Sequence, residues 1–146
     1  LGINGDHADS IQVYGPGETG QVTVRNSTIV SHADNATAGY FSSDNWLGNH
    51  TFDNVVVMNG PYGIVINGDG GDTINLTDVY FVGPFTYGPM ASTPVGQDSI
   101  NIGDWDNVCD ASIVGGQLVV NTLYPRPYAA GKSGPLSLGT TQPVIP

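Results

Sequence analysis

Aspartate residues recur beside tryptophan and glycine residues along the chain. Asp44 precedes Trp46, Asp104 precedes Trp105, and Asp69 lies in a glycine-rich loop. Glycoside hydrolysis uses two carboxyl groups about 5–9.5 Å apart. Repeats that stack about 4.8 Å apart would bring these aspartates to such separations. The sequence therefore predicts an acid and base drawn from this set, although aspartate and glycine are also typical of turns.

A histidine and an aspartate near the start of the sequence form a second catalytic candidate. His7 would carry the proton and Asp9 would orient it. The segment from Asp9 to Gln12 returns as Asp98 to Asn101, where no histidine precedes it. This repetition favours the alternative interpretation, in which Asp9 caps the beginning of a strand.

Metal and thiol chemistry have little support in the sequence. The loop Gly68–Asp72, together with Asn67, could supply oxygen ligands to Ca²⁺, but it lacks EF-hand spacing. Cys109 is the one cysteine, so no intrachain disulfide or cysteine-based cluster can form. We expect no cofactor and assign no metal ligand, with calcium as a weak alternative.

Aromatic side chains are the better signal for binding. Rings at strand edges and in loops can present a flat apolar face to a sugar, while amides and carboxylates bind its hydroxyl groups. The alternative is that the rings shield the flank of the fold. The predicted carbohydrate-binding residues are Gln12, Tyr14, Phe41, Trp46, Tyr62, Phe85, Tyr87 and Trp105.

An internal repeat supplies the elements that would position these residues. The segments VTVRNSTIV, HTFDNVVVM, INLTDVYFV and DNVCDASIV align on Asn26, Asn54, Asp78 and Asp110. Apolar residues stand two positions before and three positions after this column. That alternation is typical of short strands with one face on a core. The Asn/Asp column suits a sharp corner between two strands, where stacked side chains could form a ladder.

A second set of short strands precedes the first in each repeat. Its inward pairs are Ile11/Val13, Tyr40/Ser42, Ile64/Ile66 and Ile100/Ile102. Each repeat therefore reads as three short strands, and four such repeats predict an all-β solenoid.

The repeats resemble the right-handed parallel β-helix of the pectin-lyase-like group, which has an asparagine ladder at one corner. GDHADSIQVYG followed by VTVRNSTIV is also similar to bacterial and phage β-helix proteins with a His-x-Asp-x-x-Gln opening. The resemblance covers roughly residues 3–116. It implies a β-helix of about four coils over residues 1–117, and residues 118–146 are expected to form an extended Pro/Gly-rich tail.

Charge narrows the possible partners. The formal charge is −10, and Arg25, Arg126 and Lys132 are the only fixed cations. Phosphate binding relies on basic side chains, so nucleic acid is an improbable partner. Lyases of the resembled group generally use basic residues, and Arg25 alone in the repeats argues against lyase chemistry. No apolar run is long enough to predict a membrane span.

An outward apolar column predicts a covered surface. Four apolar residues lie four positions after the Asn/Asp column, one beyond the apolar residues that follow it, and should point outward: Val30, Met58, Val82 and Val114. Such a stripe needs a cover. Candidates are the tail and identical neighbours in a homo-oligomer, for example a trimer.

The resembled group includes polysaccharide lyases, hydrolases, epimerases, and phage tailspikes and fibres, so the fold alone cannot select a function. We expect a structural and adhesive segment of an extracellular or virion-surface fibre or spike that contacts cell-surface polysaccharide. The alternatives are a polysaccharide-degrading enzyme and a purely structural virion or surface-layer component.

Overall fold

The chain alternates between two β-sheets, and each repeat contributes one strand to each sheet. The computed structural model describes residues 9–15, 17–31, 36–42, 46–67, 72–93, 101–126, 134–135 and 142–143. All the regular elements within these ranges are strands. The prediction of an all-β protein is therefore confirmed. None of the described residues form a helix that could cross a membrane.

The first sheet contains five strands in the order β1-β3-β5-β7-β10. The first four pair in parallel, and β10 pairs with β7 in antiparallel orientation. Its strands are β1 (Ile11–Val13), β3 (Ala38–Ser42), β5 (Tyr62–Asn67), β7 (Gly88–Thr93) and β10 (Gly134–Pro135).

The second sheet contains six strands in the order β11-β9-β8-β6-β4-β2. Its first four strands along the chain pair in parallel, whereas β9 and β11 add antiparallel pairs. Its strands are β2 (Thr19–Val30), β4 (Leu47–Met58), β6 (Thr73–Val82), β8 (Asn101–Val114), β9 (Gln117–Leu123) and β11 (Gln142–Pro143).

The prediction of a right-handed parallel β-helix with three short strands per coil is wrong. The structure has two open sheets, and each repeat supplies two strands rather than three. The two strands predicted on either side of the Asn/Asp corner are one continuous strand, as in Thr19–Val30 and Leu47–Met58. Antiparallel strands at the end of each sheet also depart from the uniformly parallel arrangement that a β-helix requires.

A single residue with a positive φ angle bends each long strand without ending it. Asn26, Asn54 and Asp78 have φ angles of 48°, 56° and 52°. Asn and Asp tolerate this left-handed conformation better than most residues. The bend shifts the alternation by one residue, so both apolar columns face the core: Phe52 and Val57 of β4 are fully buried.

The fourth repeat departs from the predicted alignment. Asn107, with φ of 50°, occupies the bend of β8, and Asp106 and Val108 on either side of it pair with Thr77 and Val79 of β6. Asp110 lies beyond the bend. The register between β6 and β8 shifts between Ile74 and Leu76. For this reason the sequence alignment did not show the true position of the bend in the fourth repeat.

The fourth strand of the first sheet also differs from the prediction. It is β7, in which Met90 pairs with Ile64 and is fully buried. Ile102, which was expected in this sheet, lies in β8 and pairs with Ile74.

The core lies between the two sheets. Tyr40, Ile64 and Met90 from the first sheet pack in one cluster with Phe52 and Phe81 from the second. Each such side chain contributes about 1.5–3 kcal/mol when it is withdrawn from water. These contacts hold the repeats together. They also determine which of the other side chains in each strand face away from the core.

Candidate functional site

A pocket opens beside the first half of β8. Its volume is about 280 Å³, and its lining includes Trp105, Asn107, Tyr124 and Arg126. Three of these residues offer a ring or a guanidinium plane, and the fourth offers an amide. Pockets that combine an apolar wall with a few polar groups are typical of small-ligand sites.

The chain after β9 forms one wall of this pocket because hydrogen bonds hold it against β8. The Tyr124 backbone N–H donates to the Val108 carbonyl oxygen at 2.8 Å. The Trp105 indole Nε1–H donates to the Tyr124 carbonyl oxygen at 3.0 Å, and Arg126 Nη2 donates to the Ile102 carbonyl oxygen at 2.6 Å. The Trp105 ring is thereby held against the Tyr124 backbone.

The electrostatics of the pocket come from a tyrosine and an arginine. Burial raises the pKa of Tyr124 to about 12, and the charge of Asp110 and a hydrogen bond to it act in the same direction. The phenol therefore stays neutral at physiological pH. Arg126 is the one charged residue among the described residues that line the pocket. Among the described residues Arg126 donates one hydrogen bond, to the Ile102 carbonyl oxygen, so other guanidinium N–H groups can donate to a ligand.

Two predicted site residues lie at or beside this pocket. Trp105 was predicted to bind carbohydrate, and it lines the cavity. Asp104, a predicted catalytic residue, is its exposed neighbour in β8, and its backbone N–H donates to Asn75 Oδ1 at 3.0 Å. Tyr124 and Asn107 were missed. The Tyr124-Pro125 step directly after an apolar strand was the available signal.

A second aromatic group lies on the outer part of the first sheet. The rings of Tyr62 and Tyr87 are 5.4 Å apart with an interplanar angle of 38°. Tyr87 is 64% exposed. Phe41 and Tyr62 are partly buried against a small cluster that includes Val65. This group offers a surface rather than a cavity.

The other predicted carbohydrate-binding residues do not join either group. Trp46 is buried, with its ring 5.0 Å from that of His50. Phe85 packs against the core and lies edge-on to Phe81 at 6.2 Å. Gln12 and Tyr14 are exposed at the N-terminal side, around β1.

The predicted catalytic residues are not brought together in the described part of the chain. Asp44, Asp69 and His7 lie outside the described residues. Asp9 Oδ1 accepts hydrogen bonds from the backbone N–H groups of residues 37 and 38 at 2.8 and 2.7 Å. Asp9 therefore anchors the backbone at the beginning of β3, which matches its alternative interpretation.

A buried polar cluster joins the two sheets. The Tyr40 hydroxyl lies 2.7 Å from His50 Nδ1, and His50 Nε2 lies 3.6 Å from Asp72 Oδ1. The Gly48 backbone N–H donates to the same Asp72 oxygen at 2.7 Å. Burial, followed by the charge of Asp72, raises the pKa of Tyr40.

The side chains of this cluster are fully buried, so no substrate in solvent can contact them. We interpret the cluster as a structural link between β3, β4 and the start of β6. The sequence predicted that Tyr40 faces inward, but it did not indicate that Tyr40 contacts His50 or that Asp72 lies beside them.

Metal binding has no support among the described residues. Within those ranges, no group of three or more His, Cys, Asp or Glu residues is placed to hold a metal ion. Most of the loop that suggested Ca²⁺, together with the Asn67 side chain, lies outside the described part of the chain.

The Asn/Asp ladder is present in two pairs. Asn54 Nδ2 donates to Asn26 Oδ1 at 2.8 Å, and Asn107 Nδ2 donates to Asp78 Oδ1. Asp110, the predicted fourth member, instead accepts a hydrogen bond from Asn121 Nδ2 at 2.9 Å. The residues at the bend therefore stabilise the stacking of the strands.

No family model, curated protein or solved structure matches the chain.

Proposed function

We propose that this chain is an all-β segment of an extracellular or virion-surface fibre or spike, and that it binds cell-surface polysaccharide. The observation that carries the proposal is the pocket of about 280 Å³ lined by Trp105, Asn107, Tyr124 and Arg126. Its volume is close to the lower end of those typical for small-ligand sites, about 300–1,000 Å³. A site of this size accommodates one or two sugar rings rather than a folded partner.

The residue types in the pocket suit a saccharide. The aromatic side chains of Trp105 and Tyr124 provide apolar surface for the C–H face of a sugar ring. The guanidinium of Arg126 supplies N–H donors for ring hydroxyl or carboxylate oxygens. Trp105 is held by its hydrogen bond to Tyr124, so its orientation is set before a ligand binds. Such preorganisation reduces the entropy lost on binding.

The surface charge favours a neutral or sparsely charged glycan. The chain carries a formal charge of −10, which repels a polyanion at long range. Arg126 nevertheless places a positive charge in the pocket lining, so a single acidic group on a sugar could be bound locally.

The proposal is tested by incubating the full chain with a panel of bacterial surface polysaccharides, followed by size-exclusion chromatography with light scattering. We expect co-elution of the chain with uncut glycan. Shortened glycan would favour the degrading enzyme instead, and no co-elution across the panel would favour a purely structural component.

Two variants locate the binding. Arg126→Ala should weaken co-elution, whereas Arg25→Ala, which removes the same charge from an exposed position on β2, should not. Trp105→Ala should abolish it, with circular dichroism used to show that the strands remain folded. Equal binding by wild type and Trp105→Ala would exclude the pocket.

A further inference from the structure

The β8–β9 hairpin extends beyond the second sheet. The pairing of β8 with β6 ends at Ala111, opposite Val82, yet β8 continues to Val114. Gly115 and Gly116 form the turn with φ angles of 59° and 79°. Two positive φ angles define the tight turn that suits two antiparallel strands. The hairpin of residues 112–120 therefore extends past the last residue of β6, starting from Val120, which pairs with Ala111.

The projecting hairpin exposes apolar side chains on both faces. The register with β8 places Leu118 beside Ile113 on one face, and Val119 beside Ser112 on the other. Val114 is 61% exposed and Val119 is 43% exposed. A contiguous apolar surface of this kind is unusual for a soluble monomer and marks an interaction site. The other exposed apolar residues of the hairpin are Ile113, Leu118 and Val120.

The outer edge of β9 has no neighbouring strand over most of its length in the part of the chain that the structure describes. Among the described strands, β11 pairs with β9 only at Thr122 and Leu123. Within the described residues, no strand pairs with the backbone of Gln117–Asn121 on that side. An exposed strand edge is a template for another strand.

Charge indicates which strand would pair there. The chain carries a net charge of −10, so two copies repel one another over most of their surface. Between Asp110 and Arg126 the sequence has no charged side chain. Two copies can therefore approach closely at the hairpin with little repulsion. An antiparallel pair of identical strands also satisfies a two-fold axis, the commonest symmetry of homo-oligomers.

We propose that the hairpin of residues 112–120 is the interface between two copies of this chain, with β9 of one copy antiparallel to β9 of the other. The open segment Gln117–Asn121 is centred on Val119, so the two-fold axis lies there and Val119 faces its equivalent. The second sheet then continues from one copy into the next, and the apolar faces of both hairpins are covered. This interface is separate from the glycan pocket, so either proposal can fail alone.

Sedimentation equilibrium of the full chain over a wide micromolar concentration range tests the interface. We expect a reversible equilibrium between one and two chains of 15.2 kDa. Val119→Lys places two like charges opposite each other and should weaken the dimer at least about tenfold. The matched control Thr28→Lys adds the same charge at an exposed position on β2 and should leave the dimer intact.

Mixing two variants of opposite charge distinguishes loss of the interface from misfolding of the variant. Val119→Glu alone should also be monomeric, but an equimolar mixture with Val119→Lys should form a heterodimer because the facing charges are then opposite. A wild type that stays monomeric overturns the proposal. So does a Val119→Lys chain that associates like the wild type, or a mixture that stays monomeric.

Discussion

The buried cluster and the pocket each combine aromatic rings with polar side chains, but only one of them can meet a ligand. Tyr40 and His50 lie between the sheets with no exposed surface. Trp105 and Tyr124 are only partly buried, and hydrogen bonds hold the chain after β9 against β8 beside them. In the middle of the sheets, neighbouring strands on both sides keep water away from the polar side chains. Beside the first half of β8, aromatic and polar side chains instead line a pocket.

The buried cluster therefore contributes to stability, whereas the pocket is the region available for binding. Buried polar groups must find partners within the protein, and removing one partner leaves the other without a hydrogen bond. Groups in the pocket can exchange water for a ligand. Variants of the cluster should therefore change the free energy of unfolding, whereas variants of the pocket should change affinity.

The largest effect is expected from Asp72→Ala. Removal of this carboxyl group leaves the Gly48 N–H without its acceptor and removes the carboxylate that lies 3.6 Å from the buried His50 Nε2. We expect a loss of about 3 kcal/mol in the free energy of unfolding, measured by urea denaturation. Asp53→Ala is the control, because Asp53 forms an exposed pair with Arg25 at 3.3 Å and should contribute less than about 1 kcal/mol. Similar losses in both variants would contradict the structural role of the cluster.

A smaller effect is expected from Tyr40→Phe. This substitution keeps the ring between the sheets and removes only the hydroxyl group that contacts His50 Nδ1. The free energy of unfolding should fall by about 1–2 kcal/mol. Tyr87→Phe, at an exposed position, serves as the control and should be nearly neutral. A neutral Tyr40→Phe would show that the contact with His50 adds no stability.

The smallest effect concerns the pocket at alkaline pH. The pKa of Tyr124 rises from its ordinary value of 10.0 to about 12 on folding. Folding therefore favours the neutral phenol. Its contribution to the free energy of unfolding is complete below pH 10.0 and is lost as the pH rises through about 12. Tyr124→Phe should lose less stability across this interval than wild type, as followed by urea denaturation at successive pH values. An unchanged pH profile would contradict the buried environment of Tyr124.

The sequence was informative where the repeat is regular. Aligning Asn26, Asn54 and Asp78 identified three bends and the apolar columns around them, because alternation and left-handed backbone preference are local properties. It did not distinguish a bent continuous strand from two short strands. The hydrogen bonds between neighbouring strands decide that difference, and they involve residues more than twenty positions apart.

The fourth repeat and the pocket were not predictable in the same way. The shifted register between β6 and β8 moved the bend to Asn107, so Asp110 was assigned a position that it does not occupy. The pocket depends on the chain turning back after β9 and placing Tyr124 over β8. That contact is tertiary and leaves no periodic pattern.

The two tryptophans allow the central claim to be tested in one experiment. The chain contains only Trp46, in the buried region beside His50, and Trp105, in the pocket. Each gives one indole N–H signal in a ¹H–¹⁵N correlation spectrum, and Trp105→Phe assigns them. A polysaccharide that co-elutes with the chain should shift the Trp105 signal and leave that of Trp46 in place. A bound polysaccharide that leaves the Trp105 signal unchanged would contradict the assignment of the pocket as the binding site.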